Sequence, residues 1–196
     1  MRYEERFESV LRSAAAVFAR RGYHRASIRE VAKAADMSVA GLYYYCTSKD
    51  ELLFAVCYHN FDVLLRTLRQ ALRGVVDPRE QLRRFVLNHF DYFLTHVDSM
   101  QVVSHESGML TGELGARVAE IKRQYYLSCQ RIIQAILEEP DGDSLRLRTT
   151  TLALFGMINW VYTWYRPGRD EDAKALADHM TELFLYGVQP RPAARA

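Results

Sequence analysis

The stretch SVAGLYYYCTSKDELL, residues 38–53, sets three consecutive tyrosines between a serine and a lysine. Successive side chains on a helix point about 100° apart, so no helix face can bury three in a row. At least one phenol among Tyr43, Tyr44 and Tyr45 must therefore look outward. An outward phenol can donate a hydrogen bond to a phosphate oxygen and rest its ring edge on a thymine methyl. Val39, Ala40 and Gly41, just upstream, are small enough to let a backbone approach a surface. The DNA major groove is about 12 Å wide and admits one such helix. Ser27 and Arg29 upstream and Lys49 downstream stand where neighbouring helices begin, positions at which free amides and a positive dipole end attract phosphate. The chemistry these residues offer is grip on a polyanion.

Other chemistries lack their residues. "HES" at 105–107 has no second histidine at 109 to complete a zinc helix, and there is no Gly-rich phosphate loop or nucleophile elbow. The six histidines are scattered. Enzymatic activity is not expected, and neither is a resident cofactor or metal. Cys46, Cys57 and Cys129 have no CxxC spacing and leave an odd thiol, which fits a cytoplasmic chain with small buried sulfur side chains.

The elements that would position the tyrosines are helices. Phe7, Val10, Leu11, Ala14, Ala15 and Phe18 recur at three-and-four spacing, predicting a helix over 4–21 that Gly22 closes. "SIRE" opens a second helix as a capping box, with Glu30 reaching back to Ser27, and it runs to about Ala35. "ADMS" makes a tight break in which Asp36 takes a left-handed backbone, and Ser38 caps a third helix of about eight residues. "SKDE" at 48–51 repeats the capping box before a long helix carrying Leu52, Val56, Leu64 and Leu68. "DPRE" at 77–80 starts another. Further helices are predicted at about 79–96, 113–138, 144–165 and 171–187, with a short piece near 99–108. No stretch alternates long enough for a strand. The most apolar segment, residues 152–165, is too short to cross a bilayer, so no membrane partner is expected.

A 49% hydrophobic, 26% charged composition is that of a globule, and the net charge of +2 hides an asymmetry. Residues 1–50 hold nine Lys/Arg against six Asp/Glu, so the polyanion preference is N-terminal.

Residues 10–53, VLRSAAAVFARRGYHRASIREVAKAADMSVAGLYYYCTSKDELL, resemble the DNA-binding segment of TetR-type transcriptional repressors. The resemblance implies an all-α fold: a helix-turn-helix head over 1–47, an antiparallel helical effector-binding and dimerisation domain over 48–188, and a flexible tail at 189–196. It implies phosphate contacts from Ser27, Tyr43, Tyr44 and Lys49, and a groove-facing set of Arg29, Val39, Ala40 and Gly41 behind the cap Ser38, with Leu42 and Tyr45 packing inward. Asp36 replaces the family's usual turn glycine, Cys46 its usual Phe, and Gly41 its usual Thr or Ser. The partners implied are a double-stranded DNA operator, a small-molecule effector and a second copy of the chain.

The C-terminal helices give their own reasons for the last two. Trp160 and Trp164 with Leu176, Met180, Leu183 and Phe184 present more apolar surface than one core absorbs, and predict a homodimer interface. Phe61, Leu65, Phe85, His89, Phe93, Arg123, Tyr126, Phe155, Asn159 and Tyr162 mix apolar rings with a few polar groups, as an effector site requires. GMINWVYTWYRP, residues 156–167, resembles a stretch of the TetR subgroup that regulates lipid breakdown and senses acyl-CoA. That implies an acyl-CoA effector, with Arg117 or Arg123 near its phosphates. The competing readings are a TetR-type regulator of efflux or another operon sensing an unrelated lipophilic compound, and a helical interaction module that does not bind DNA.

Overall fold

A computed structural model describes residues 3–140, 144–166, 168–170 and 172–188. Among them it shows nine α-helices and two 3-10 turns, and no strand. The helices are α1 (Tyr3–Arg21), α2 (Ile28–Ala34), α3 (Val39–Tyr43), α4 (Lys49–Ala71), α5 (Pro78–Thr95), α6 (Val97–His105), α7 (Gly112–Leu137), α8 (Leu145–Asn159) and α9 (Ala173–Tyr186). No helix among the described residues is long and apolar enough to cross a membrane. The tail expected at 189–196 lies outside the described residues.

Packing divides the chain into two compact units. One takes the described residues up to Val63 together with His96–Gln124; the other takes Leu64–Thr95 and the described residues from Tyr125 on. α1 packs against α6 as well as α2, so the head shares its core with α6 and the first half of α7.

In the first unit, α1 buries Val10, Leu11, Ala14, Ala15 and Phe18, the stripe its periodicity predicts. Gly22 closes it with φ +75° and donates its N–H to the Phe18 carbonyl at 2.8 Å. Asp36 adopts φ 51°, the left-handed turn residue between α2 and α3. The arginine at position 6 stabilises that turn, donating from Nη2 to the Ala35 and Asp36 carbonyls at 3.2 and 3.0 Å. The second unit is built on α5, which packs chiefly along α9 and also meets α8. Asp77 caps α5 by accepting from the amides of Arg79 and Glu80.

Two helices end early. α3 has five residues, not eight: Tyr45 leaves the helix to stack on Tyr3 and Phe7 of α1, and Thr47 and Ser48 are taken up in starting α4. α8 stops at Asn159, and the Trp160 carbonyl accepts from both the Thr163 amide and hydroxyl, at 3.1 and 2.7 Å, in the 3-10 turn Val161–Thr163 that follows. Trp160, Tyr162 and Trp164 are thus carried by a tight turn and not by a long helix.

Candidate functional site

The reading edge is assembled by caps. Ser27 accepts the Glu30 amide at 3.2 Å while Glu30 Oε2 accepts both the Ser27 amide and the Ser27 hydroxyl at 2.9 Å, so the capping box forms in full. These bonds from Ser27 hold the Glu30 carboxyl below the usual carboxylate range. Ser38 accepts the Gly41 amide at 3.0 Å and starts α3. The capping expected in "SKDE" is split: Ser48 accepts the Glu51 amide, whereas the Glu51 carboxylate turns to the amide and hydroxyl of Thr47.

These caps leave the tyrosines arranged as the spacing required. Leu42 is fully buried, Tyr45 is half-buried against α1, and Tyr43 and Tyr44 are 48% and 74% exposed. Tyr44 is braced edge-on by Tyr3 and Tyr45, with centroids 6.0 and 5.3 Å away. Val39 and Gly41 are half-buried and Ala40 is exposed. Arg29, Ser38 and Val39 line an open concavity of about 600 Å³ together with Ala32, Lys33, Asp36 and Met37. Lys33 was not among the expected contacts; its place one turn beyond Arg29 on α2 is the signal that could have found it.

Two of the residues expected to meet phosphate have partners within the chain. Lys49 Nζ donates to the carbonyls of Tyr23, His24 and Ala26 at 2.9, 3.3 and 3.0 Å and lies 4.4 Å from the Tyr23 ring centroid. An ammonium has three N–H donors, and all three are engaged. Lys49 is a clasp between α4 and the loop after α1. Ser27 is likewise engaged, and the Glu30 carboxylate occupies the α2 N-terminus where a phosphate was expected. The Glu30 carboxylate thus holds the Ser27 amide that a phosphate at this helix start would otherwise meet.

Tyr23 completes the clasp, a role the sequence did not single out. Its hydroxyl donates to the Asp50 carboxylate and its amide to Glu106 Oε1 at 3.2 Å. Burial, with Asp50 adding to it, pushes the phenol pKa above its ordinary value.

In the second unit, five of the residues expected at the effector site meet in one aromatic layer. Phe85 stacks on Tyr125 at 5.0 Å and meets Phe155 edge-on at 6.0 Å. Tyr126 stacks on Phe155 at 6.0 Å, and His89 lies on Phe93 at 3.7 Å. His89 Nδ1 is 3.1 Å from the Tyr125 hydroxyl. Desolvation lowers the His89 pKa to about 3, so the ring is neutral. Leu65 is buried in the same unit.

The remaining expected effector residues are not brought into this layer. Phe61 and Arg123 belong to the other unit. Arg123 is exposed and paired to Glu120 at 2.9 Å, three residues back on its own helix. Arg117, its alternative, lies over the Phe54 ring at 4.6 Å, beside a shallow pocket of about 320 Å³ that also holds Glu113 and Glu120. Tyr162 meets the exposed Trp160 at 6.2 Å, and Asn159 is half-buried at the end of α8. Trp160 and Trp164 are exposed, while Leu176, Met180, Leu183 and Phe184 are half-buried along α9. All three cysteines are buried, and burial raises the Cys57 pKa to about 12, so the thiol stays protonated.

Residues 10–56 match the profile of bacterial regulatory proteins of the tetR family, and residues 75–188 match the tetracyclin repressor-like C-terminal domain. The chain is 42% identical over 194 residues to the HTH-type transcriptional activator FasR of Mycolicibacterium smegmatis, covering 98% of this chain and 87% of FasR. The chain belongs to the TetR family. Its members are transcriptional regulators, not enzymes. It is also 21% identical to the fatty acid metabolism regulator protein of Bacillus subtilis, over 93% of this chain and 95% of that one. The crystal structure of AibR in complex with isovaleryl coenzyme A and operator DNA superposes with a TM-score of 0.76 at 25% identity, over 91% of this chain and 97% of AibR. As a TetR regulator, the chain uses α2 and α3 as its helix-turn-helix, with the exposed phenols of Tyr43 and Tyr44 beside the small residues that open α3.

Proposed function

We propose that this chain acts as a two-fold dimer in the cytoplasm, holds a palindromic operator through α3, and is released from it by an acyl-CoA thioester. The observation that carries the reading is the exposure of Tyr43 and Tyr44 beside Val39, Ala40 and Gly41 on a short helix capped by Ser38. That edge offers a partner phenols, methyls and the basic groups of Arg29 and Lys33. AibR's complex with an acyl-CoA and the Bacillus relative's role in fatty acid metabolism support the effector class. The aromatic layer supports it chemically, since it suits an apolar chain. No resident cofactor takes part.

The dimer reading rests on α8. Leu145, Leu152, Trp160 and Trp164 are exposed apolar residues, and Gly156 sits on the same helix with open space where a Cβ would be. A mid-helix glycine costs about 1 kcal/mol relative to alanine, and nothing within the chain requires it. A partner backbone crossing there would. Gly156→Gln is expected to raise helix stability and to weaken dimerisation in sedimentation equilibrium; a tighter or unchanged dimer would remove Gly156 from the interface.

The sign of regulation follows from where the operator lies relative to the promoter, and FasR's description as an activator fits this scaffold as readily as repression. Footprinting on the chain's own upstream region, followed by titration of acyl-CoA thioesters into the complex, tests the whole reading. Protection of a short palindrome and its loss on adding thioester are expected. Protection that no thioester disturbs would replace the effector with an unrelated lipophilic compound, and protection without sequence preference would refute the operator reading.

A further inference from the structure

Among the described residues, two buried side-chain polar atoms have no hydrogen-bond partner: His89 Nε2 and Thr181 Oγ1. A threonine hydroxyl can turn about its bond to search for an acceptor, whereas the imidazole is fixed. It is clamped by its stack on Phe93 and by the Tyr125 hydroxyl at Nδ1. Where the phenol donates its own proton to Nδ1, 3.1 Å away, the ring takes the tautomer with its hydrogen on Nε2. Nε2 then carries the hydrogen of the neutral ring and is a donor without an acceptor. His89 is 1% exposed, so bulk water does not satisfy it. Native proteins seldom leave such a group unpaired without a functional reason.

Resting on the acyl-thioester reading above, we propose that His89 Nε2–H donates to the carbonyl oxygen of a bound acyl thioester, with the rings of Phe85, Phe93, Tyr125 and Phe155 as the apolar surroundings of the acyl chain. His89 is then the residue that tells an acyl group from a plain hydrocarbon. The chemistry also separates the thioester from the free acid. A carboxylate would enter an aromatic layer as a charge, and an imidazole with its pKa lowered to about 3 stays neutral and supplies no countercharge. A thioester carbonyl is an uncharged acceptor that needs one donor.

The test uses the full-length dimer and isothermal titration with three probes of equal chain length: dodecanoyl-CoA, S-dodecyl-CoA, which is a thioether with no carbonyl, and free dodecanoate. The wild type is expected to bind the thioester at least tenfold more tightly than the thioether, about 1.4 kcal/mol, and the free acid more weakly than either. In His89→Phe that ratio is expected to fall to within about twofold of unity through loss of thioester affinity alone. His89→Gln, which keeps an N–H donor at similar reach, is expected to retain most of it and serves as the readout if the phenylalanine variant does not fold. The infrared stretch of an isotope-labelled thioester carbonyl adds a measurement that needs no variant. It is expected at lower frequency in the wild-type complex than in an apolar solvent.

A wild-type ratio near unity, an unshifted carbonyl stretch, a ratio left intact in His89→Phe, or equal loss of both CoA probes in that variant would each overturn the assignment and leave His89 as packing. Binding of none of the three probes by the wild type would sink the acyl reading itself and this assignment with it.

Discussion

The helix-turn-helix head and the aromatic layer around His89 treat polar groups in opposite ways. In the head, Ser27, Ser38, Ser48, Glu30, Glu51, Arg6 and Lys49 each meet a backbone or side-chain partner within the same unit. In the layer, one imidazole nitrogen among five aromatic rings is left without a partner. A surface that must fit a fixed duplex gains from having its own amides committed, because only the groups meant for DNA then remain free. A site that must recognise a small molecule gains from an unmet hydrogen bond that the right ligand completes.

Lys49 gives the sharpest way to break that comparison. If it is a clasp, Lys49→Met leaves three carbonyls of the α1–α2 loop without their donor and is expected to lower stability by about 2–3 kcal/mol in urea unfolding. Operator affinity is expected to fall more than tenfold as the head loosens. The slope of log affinity against log salt should stay where it was, since no phosphate contact is lost. A slope shallower by about one unit, with stability intact, would return Lys49 to the phosphate backbone.

Acid separates the two regions next. His89 has a folded pKa near 3, depressed from the ordinary 6.5 by burial, so the unfolded chain binds the extra proton first. Its contribution to stability is complete above about pH 6.5 and is lost as the pH falls towards 3, roughly 2 kcal/mol of it by pH 5. Glu30 and Glu51, depressed by their bonds to Ser27 and Thr47, lose their contribution only below the ordinary carboxylate value of 4.5. Unfolding measured between pH 7 and 5 should therefore show a decline that His89→Phe flattens and Glu30→Gln leaves alone. The reverse assignment would mean that the imidazole is hydrated in solution.

How much of this could be read from the chain follows the same line. Caps and turns are local, so Ser27 with Glu30, Ser38, the left-handed Asp36 and the Gly22 closure were all legible, as was the outward pair Tyr43 and Tyr44. The bonds of Lys49 were not legible because its acceptors are backbone carbonyls more than twenty residues away, and no side-chain pattern announces a carbonyl. Arg6 was missed for the same reason, and Tyr23 and Glu106 because their partners lie far along the chain. The aromatic stripe of α5 was visible, but its pairing with Tyr125 and Phe155 depends on which faces of α7 and α8 turn inward, and periodicity leaves that open. The early end of α8 in a 3-10 turn leaves no mark in the apolar periodicity of residues 152–165.

The tyrosines come next in size. Tyr43→Phe with Tyr44→Phe removes two hydroxyls that face solvent and keeps the ring packing of Tyr44 on Tyr3. Stability should move by less than about 0.5 kcal/mol, while operator affinity in fluorescence anisotropy drops roughly five- to thirtyfold, the scale of one or two charge-assisted hydrogen bonds. An equal drop on a scrambled duplex is also expected, since phosphate contacts do not read sequence.

The smallest effect belongs to Gly41, and it isolates the reading edge from the fold. A Cβ there would sit 3.3 Å from the Ser38 Oγ that caps the same amide, tight but able to give by a few tenths of an ångström. Gly41→Ser gains about 0.5 kcal/mol of helix propensity and loses a similar amount to the compressed cap, so unfolding should register almost nothing. The new hydroxyl nevertheless stands among the small residues that open α3. Discrimination between the operator and single-base variants of it is expected to change by a few fold, with nonspecific affinity unchanged. If stability moves by more than about 1 kcal/mol while discrimination stays fixed, the Ser38 cap governs position 41 and the groove-facing set begins and ends with Val39 and Ala40.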